Sequence, residues 1–271
     1  MASGSRVLVS RRAGRLWRLT SRVGLHEAVV VVSAFLVYFV IRGAVVGRVG
    51  EATARGFNLI SLEQHLGIYH ELGMQSWILG DYWVVKAMNW IYFWGHMPLI
   101  IVFAIWLYIW RRPTYTLVRN AFLFSGAIAV VIYWLFPVAP PRLIPGAGFV
   151  DTMALFDRVS YDAQETSWFV NQFAAVPSLH FGWSMLLALA VARVGGRPIL
   201  WVFGIAWPVS MFFAVVLTGN HFIFDAVAGG VVSFAGLGLA IGMERAKPPV
   251  LAWAKARTGW IEAPETVAAE G

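Results

Sequence analysis

The chain has 271 residues, of which 59% are hydrophobic and 13% are charged, and its net charge is +7. Ordinary soluble domains are about 45–50% apolar and about 25% charged. The composition therefore excludes a disordered chain and indicates an integral membrane protein rather than a soluble globule. The sequence contains no cysteine, which excludes disulfides, thiolate metal sites and a cysteine nucleophile.

The basic residues are unevenly distributed, and their placement favours membrane topology over nucleic-acid binding. Six arginines precede the first apolar run: Arg6, Arg11, Arg12, Arg15, Arg18 and Arg22. Such clusters stay on the cytoplasmic side of a membrane and contact anionic lipids. Arginine also outnumbers lysine 18 to 3, which is typical of a GC-rich bacterial genome.

Six apolar segments predict an all-α bundle of six transmembrane helices, since a span takes about 20 apolar residues. In chain order they are Leu25–Val46, Trp83–Trp110, Ala121–Phe136, Leu179–Val194, Ile199–Leu217 and Phe222–Met243. With a cytoplasmic N-terminus, the inside segments are 1–24, 111–120, 195–198 and 244–271. These segments and their flanks contain 15 of the 21 basic residues. We therefore expect a multi-pass plasma-membrane protein with both termini in the cytoplasm.

This topology divides the chain into a basic N-terminal segment (1–24), a membrane domain (25–243) and a cytoplasmic tail (244–271). The first outer loop, 47–82, mixes apolar and polar residues in a pattern that predicts one or two amphipathic helices at the membrane interface. The second, 137–177, begins with PVAPPR, whose prolines exclude a helix there.

Three short motifs lie at the predicted outer ends of helices. Pro140-Pro141-Arg142 follows the third helix, Pro177-Ser178-Leu179-His180 opens the fourth, and Asn220–Asp225 opens the sixth. Because the topology places all three on the outer face, a single site there accommodates them.

His221 and Asp225 are spaced i, i+4, which places them one turn apart on the same helical face. The carboxylate can accept a hydrogen bond from one imidazole nitrogen and leave the other as a nucleophile. Ionisable residues near a membrane span are by default candidates for function. A buried pair that joins helices, or a metal ligand set, is the alternative interpretation.

Ser178 is a candidate helix cap, and the amides of such a helix start favour a phosphate. His180 would then protonate a leaving oxygen. Arg142, on a backbone stiffened by two prolines, suits bidentate phosphate binding, and Asn220 is a further candidate phosphate ligand. The alternative for Ser178 and His180 is a plain helix cap with an interfacial histidine. The alternative for Arg142 is an anchor for a lipid headgroup. Together these residues describe phosphoryl transfer through a phosphohistidine.

The spacing of PSLH and the HxxxD motif, about 40 residues apart, resembles the type 2 phosphatidic acid phosphatase superfamily of six-helix membrane enzymes. Within it, YWLFPVAPPR, VPSLHFGWS and LTGNHFIFDAVAGG resemble the inositolphosphotransferase branch, which includes inositol phosphorylceramide synthases. LEQHLGIYHELGMQSW and NWIYFWGHMP are similar to that branch as well. The resemblance covers roughly residues 55–235.

The resemblance implies that His221 is the nucleophile, Asp225 its orienting partner and His180 the general acid and base, while Ser178 contributes to phosphate binding. The commonest phosphatase pattern has an arginine six residues before the second histidine, where this chain has Val215. A second departure is Ile105, where that pattern has a basic residue seven positions before an Arg-Pro. We therefore expect Arg142 to replace part of the missing phosphate-binding charge.

The second predicted helix carries further candidates. Lys86, near its outer end, would add positive charge to the phosphate site. His96 lies near the middle of that helix, with Asn89 and Tyr92 on the same side at i−7 and i−4. His96 is therefore either an ordinary core histidine or part of a polar pocket with these two residues.

The expected function is a metal-independent, cofactor-free lipid phosphotransferase at the outer membrane face. It would move an inositol-phosphate-like head group between a phospholipid and an alcohol acceptor such as inositol or a lipid hydroxyl. The alternative is a plain phosphatase that hydrolyses lipid phosphates or prenyl (pyro)phosphates. More distant alternatives are a transporter or scaffold, and a haem or metal protein that uses His96, His180 and His221.

Overall fold

The computed structural model describes residues 22–43, 48–156, 173–195 and 198–258. Its α-helices are α1 (Arg22–Gly43), α2 (Val49–Leu66), α3 (Glu71–Ile78), α4 (Tyr82–Phe93), α5 (Met97–Trp110), α6 (Arg112–Leu135), α7 (Thr152–Phe156), α8 (Leu179–Val194), α9 (Pro198–Leu217) and α10 (Ile223–Thr258). A 3-10 turn, Pro141–Leu143, follows α6. This part of the chain contains no β-strand, and Val138 and Ala174 form an isolated bridge. The predicted all-helical class is confirmed. The N-terminal arginines Arg6 to Arg18, part of the second outer loop (157–172) and the last residues of the tail (259–271) lie outside the described residues.

Three helices, α6, α9 and α10, are long and apolar enough to cross a membrane. The bent pair α4–α5 makes a fourth if it is counted as one span. The remaining two predicted spans are the helices α1 and α8, whose described apolar stretches are shorter. With 16 residues, α8 is about 24 Å long, less than the roughly 30 Å of a hydrocarbon core. The count of six spans stays a prediction.

The second predicted span, Trp83–Trp110, is wrong as a single helix. It is broken between Phe93 and Met97, where α4 and α5 meet at 45°. Pro98 lies in the first turn of α5 and has no backbone N–H to donate to the preceding helix. A Cβ on Gly95 would lie 2.7 Å from the ring of Trp207, so this glycine lets the break pack against α9. His96 therefore lies at a helix break and not in the middle of a helix.

Two other boundaries also differ from the prediction. The third predicted span begins at Arg112 and not at Ala121, because Pro113 starts the helix in its first turn and polar residues mask the apolar signal there. The last helix continues past Met243 to Thr258. The bounds of α8, in contrast, are those predicted, since Ser178 caps its start and Gly195 follows its end.

The outward surface of the helices is apolar, which is typical of a protein whose solvent is lipid. Trp77 and Trp83 are 74% exposed, and Ile199 and Ile205 on α9 are 67% exposed. The helices of the first outer loop follow the same rule in part, because most large apolar side chains of α2 and α3 face outward while some polar ones are buried. The chain is therefore a helical membrane protein.

The helix α10 packs closely against α8 through glycine. A Cβ on Gly229 would lie 2.0 Å from the carbonyl oxygen of Ser178, and one on Gly182 would lie 2.3 Å from the carbonyl oxygen of Gly229. Small residues let membrane helices approach to backbone contact in this way. Consequently the starts of α8 and α10, which carry two of the motifs, lie side by side.

The helix α2 joins the end of α6 through two arginines. The guanidinium of Arg48 donates to the carbonyl oxygen of Trp134 at 2.5 Å, and that of Arg55 donates to the carbonyl oxygen of Leu135 at 3.0 Å. Positive charge is favourable at a helix C-terminus, where the last carbonyls lack partners. Glu51 pairs with both arginines at 2.6 Å. These contacts fix α2 beside the segment that leads to Arg142.

Candidate active site

Backbone hydrogen bonds bring the three sequence motifs to one end of the bundle. The amide of Ser178 donates to the carbonyl oxygen of Asp225 at 2.9 Å, which joins the start of α8 to the first turn of α10. The amide of Arg142 donates to the carbonyl oxygen of Gly219 at 2.9 Å, which joins the 3-10 turn to the loop before α10. Gly219 has a φ of 68°, a left-handed conformation that glycine adopts without strain.

His221 is buried, and its Nδ1 faces two acceptors. The carbonyl oxygen of Ala175 lies 2.9 Å from Nδ1, and Oδ2 of Asp225 lies 3.4 Å from it. A carbonyl oxygen only accepts hydrogen bonds, so Nδ1 carries the proton and the lone pair of the neutral ring is on Nε2. Asp225 is itself fully buried, and its Oδ2 accepts the amide of Phe222 at 2.9 Å. The i, i+4 pair predicted from the sequence is therefore in contact.

Four aromatic rings form what we call the histidine stack: Tyr92, His96, His180 and His221. The ring of His180 lies between those of Tyr92 and His96, with a centroid separation of 4.4 Å to each. The rings of His180 and His221 are 5.7 Å apart. His96 is buried, and its Nδ1 has no hydrogen-bond partner among the residues that the structure describes. The structure thus brings Tyr92 and His96 to His180 and His221. Tyr92 belongs to α4, and His96 lies at the break between α4 and α5.

Arg142 contacts the loop that leads to His221. Its Nε donates to Oδ1 of Asn220 at 2.8 Å, and its Nη1 lies 3.5 Å from Oδ2 of Asp151. The side chain is only 6% exposed, so its charge is compensated by Asp151 within the protein. Asn220 in turn donates from Nδ2 to the hydroxyl of Thr218 at 2.8 Å. Arg142 and Asn220 therefore form one polar cluster next to the histidine stack.

Ser178 is the N-cap of α8, as the sequence predicts. Its hydroxyl oxygen accepts the amide of Phe181 at 3.5 Å, and the residue is fully buried. Val215 stands where the commonest phosphatase pattern has an arginine, and its side chain is buried in the core. The carbonyl oxygen of Val215 accepts the amide of His221 at 3.0 Å, so the residue contributes to the site through its backbone.

Two other predicted residues lie further from the stack along α4. Lys86 is on the exposed side, where its Nζ donates to the hydroxyl of Tyr82 at 3.2 Å and lies 5.4 Å from that ring. Asn89 is buried and exchanges hydrogen bonds with Thr152 of α7. These bonds fix the second outer loop against α4. The sequence predicted a pocket role for Asn89, and this contact is a further one.

Three buried polar side chains of the first outer loop were missed by the sequence predictions. Glu63 of α2 accepts the amide of Phe224 at 2.7 Å, and Glu71 of α3 accepts the amide of Ile223 at 2.8 Å. Gln75 binds the backbone of Val150 at both ends of its amide group. The signal was the i, i+4 spacing of Glu71 and Gln75 on one face of a short helix, with the exposed Leu72 and Trp77 elsewhere on it.

A cavity of about 830 Å³ lies beneath the histidine stack, between α1, α5, α6 and α8. Its lining is almost entirely apolar and includes Met97, Ala127 and Trp183. Trp183 also stacks on His96 with a centroid separation of 6.0 Å, so this side chain belongs to the cavity wall and contacts the stack as well. A cavity with such an apolar lining fits a hydrocarbon tail far better than it fits a polar group.

Comparison with known proteins identifies the family. No curated protein and no solved structure matches the chain. The family model described as the PAP2 superfamily, the type 2 phosphatidic acid phosphatases, matches residues 58–239. That match contains the histidine stack, Arg142 and both ends of the α8–α10 contact. Members of this superfamily are phosphatases of lipid phosphates, and because the match covers more than half of the sequence, the chain belongs to the PAP2 superfamily.

Proposed function

We propose that this protein transfers the phosphoryl group of a membrane lipid through a phosphohistidine on His221. The observation that carries the proposal is the pair of acceptors at Nδ1 of His221, Ala175 and Asp225. They fix the tautomer in which Nε2 has the lone pair, which is the requirement for attack on phosphorus. The phosphatase class of the family supports the same chemistry.

The reaction has two balanced steps. In the first, Nε2 of His221 forms a bond to phosphorus while the bond from phosphorus to the leaving oxygen breaks, and His180 gives that oxygen a proton. In the second, His180 takes the proton of water or of an alcohol, whose oxygen attacks phosphorus and releases Nε2. The centroid separation of 5.7 Å between the two imidazoles is short enough for both to contact one phosphoryl group.

The phosphate would be bound by Arg142, Ser178 and Asn220. The guanidinium of Arg142 presents a planar set of donors, and the first amides of α8 add their own partial positive charge. Lys86 is a further candidate for attracting the phosphate, from the exposed side of α4. No group of three or more histidine, aspartate and glutamate side chains among the described residues is arranged to bind a metal ion.

The lipid tail would occupy the apolar cavity between α1, α5, α6 and α8, whose wall includes Trp183 next to His96. This arrangement supports a membrane lipid over a soluble phosphate ester as substrate. It favours the enzyme over a haem protein as well, because the rings of His96 and His180 are in contact at 4.4 Å and leave no room for a macrocycle between them.

We further propose that the acceptor is an alcohol, inositol or a lipid hydroxyl, and that the site faces the outside of a bacterial plasma membrane. The similarity of LEQHLGIYHELGMQSW and NWIYFWGHMP to the inositolphosphotransferase branch supports the alcohol. The positive-inside distribution of the basic residues supports the orientation with cytoplasmic termini. Hydrolysis, with water as acceptor, is the competing function.

The test uses purified protein in liposomes with radiolabelled phospholipids and prenyl phosphates, each with water alone and with added inositol. We expect an acid-labile phosphoenzyme in wild type and none in His221→Ala, while His65→Ala, a change of an exposed histidine on α2, behaves as wild type. A phosphate ester of the added alcohol, formed only when the alcohol is present, supports the transferase, and free phosphate in all cases supports the phosphatase. Equal turnover by His221→Ala and wild type would overturn the phosphohistidine mechanism.

A further inference from the structure

Carboxylates from three segments of the chain bind three consecutive amides at the start of α10, the helix that carries Asp225. Asp225 accepts the amide of Phe222 at 2.9 Å, Glu71 accepts that of Ile223 at 2.8 Å and Glu63 accepts that of Phe224 at 2.7 Å. Asp225 caps from within the helix, whereas Glu63 comes from α2 and Glu71 from α3. The start of α10 is therefore fixed to both helices of the first outer loop, two residues after His221.

Glu63 and Glu71 are both fully buried, and each uses only one carboxylate oxygen for its helix amide. The second oxygen, Oε2, is buried in both residues without an N–H or O–H group from elsewhere in the described chain. Because the two carboxylates accept the neighbouring amides of Ile223 and Phe224, the carboxyl groups lie side by side. Two buried carboxylates in contact cannot both stay ionised, and one proton between them satisfies both remaining oxygens.

We propose that Glu63 and Glu71 share one proton and, as a pair, position His221 and Asp225 for phosphoryl transfer. This inference rests on the proposed function of His221. With one proton the pair has a single negative charge, which the helix start of α10 stabilises. The pair accepts from two helix amides, and the shared proton joins its two remaining oxygens. In this way α2, α3 and the start of α10 form one rigid unit. Glu63 and Glu71 are positioning residues, since they act through α10.

Loss of the shared proton would disrupt this unit. A second negative charge would appear beside the first and close to Asp225, and the two carboxylates would repel each other. Burial, together with the hydrogen bond to Glu71, raises the pKa of Glu63 to about 9. Among the described residues, the ionisable groups that act on the pair include Asp225 and Tyr69, and burial raises the pKa of Tyr69 above its usual range. Tyr69 therefore stays neutral where the pair titrates.

The sign of the pH dependence follows from the raised pKa. The shared proton is present below a pH of about 9 and is lost above it, so we expect activity and thermal stability to fall together as the pH rises through this range. In Glu63→Gln the amide oxygen accepts the amide of Phe224 and the NH₂ group donates to Glu71. This variant retains the contact without a titrating proton, and its activity should lack the alkaline decline.

Glutamine variants separate the shared proton from simple capping. We expect Glu63→Gln and Glu71→Gln each to keep kcat within about threefold of wild type, since one amide and one carboxylate still pair. In the double variant two NH₂ groups oppose each other with no acceptor between them, so kcat should fall by at least about tenfold. KM should change little, because the phosphate ligands are untouched. Glu51→Gln on α2 is the matched control and should behave as wild type.

Infrared spectroscopy of the substrate-free protein tests the pair without reference to activity. At neutral pH we expect the band of a protonated carboxyl group in wild type and Glu51→Gln, and its loss in Glu63→Gln. Absence of this band in wild type, or equal kcat in the single and double variants, would overturn the inference. A band in wild type together with full activity of His221→Ala would overturn the proposed function while retaining the proton-sharing pair.

Discussion

The amide nitrogen of Ser178 lies 2.9 Å from the carbonyl oxygen of Asp225, so the cap of α8 is bound to the acidic member of the candidate catalytic pair. The contact exists because Gly229, one turn further along α10, has no side chain. Two helices in backbone contact thus set the separation of His180 and His221. The geometry of the site depends on helix packing as well as on the outer loops.

Gly229→Ala tests this dependence. Its Cβ would lie 2.0 Å from the carbonyl oxygen of Ser178, so α8 and α10 must move apart. We expect a loss of about 1–3 kcal/mol in the free energy of unfolding and a fall in kcat of at least about tenfold, because the two imidazoles separate. The control is Gly238→Ala on the same helix, where no atom lies within 4 Å of the added Cβ.

Thermal unfolding and turnover of both glycine variants are measured side by side. Gly238→Ala should keep its activity and gain up to about 1 kcal/mol of stability from the higher helix propensity of alanine. If Gly229→Ala unfolds and turns over like the Gly238 variant, the α8–α10 contact does not set the geometry of the site.

Asp225→Asn tests the orienting role of the carboxylate. An asparagine amide can present its NH₂ group to Nδ1 of His221 and so favour the tautomer with the proton on Nε2, which removes the nucleophilic lone pair. We expect kcat to fall by about 10³–10⁴, the effect of the corresponding change in serine protease triads. Phosphoenzyme formation should be lost in parallel.

The matched control is Asp81→Asn at the N-cap of α4, where the side chain accepts two backbone amides. Asparagine caps a helix about as well as aspartate, so this variant should keep both its stability and its turnover. Wild-type amounts of phosphoenzyme in Asp225→Asn would show that Ala175 alone fixes the ring of His221.

The sequence was sufficient to predict the bounds of α8 and the contact of His221 with Asp225. The bounds of α8 follow from local signals, namely Ser178 before it and Gly195 after it. The contact of His221 with Asp225 follows from i, i+4 spacing within one turn. Both depend on short stretches of chain, for which helix geometry alone decides which side chains meet.

Contacts between distant segments were not predictable in the same way. In α2 and α3 an amphipathic pattern indicated helices at the membrane interface, but Glu63 and Glu71 are buried because they accept amides at the start of α10. Asn89 was predicted beside His96 on one helix, but the break at Gly95 separates them and Asn89 binds Thr152. Both differences arise from packing partners that hydrophobic periodicity does not identify.

Arg142→Ala tests phosphate binding. Charge-assisted hydrogen bonds contribute about 1.5–3 kcal/mol, so we expect KM for the lipid phosphate to rise by about 10–150-fold with a lower kcat. Arg142→Lys should recover only part of this loss, because an ammonium group lacks the planar fork of donors. Arg193→Ala, a change of an exposed arginine at the end of α8, is the control. An unchanged KM in Arg142→Ala would assign phosphate binding to another group.

Ala127→Trp tests the apolar cavity as the site of the lipid tail. Ala127 lines the cavity, so a tryptophan there occupies volume that the tail requires. We expect KM for a long-chain lipid phosphate to rise by about tenfold or more, while hydrolysis of a short-chain, water-soluble phosphate ester stays within about twofold of wild type. This difference arises because the short ester reaches the histidine stack without entering the cavity.

Ala235→Trp, on the exposed face of α10, adds the same side chain away from the cavity and should leave both substrates unaffected. Steady-state kinetics of the two substrates in the three proteins measure the effect directly. An equal loss on both substrates in Ala127→Trp would mean that the tryptophan disturbs the packing of α6 and α8. An equal KM for the long-chain lipid in Ala127→Trp and wild type would exclude the cavity as the tail site.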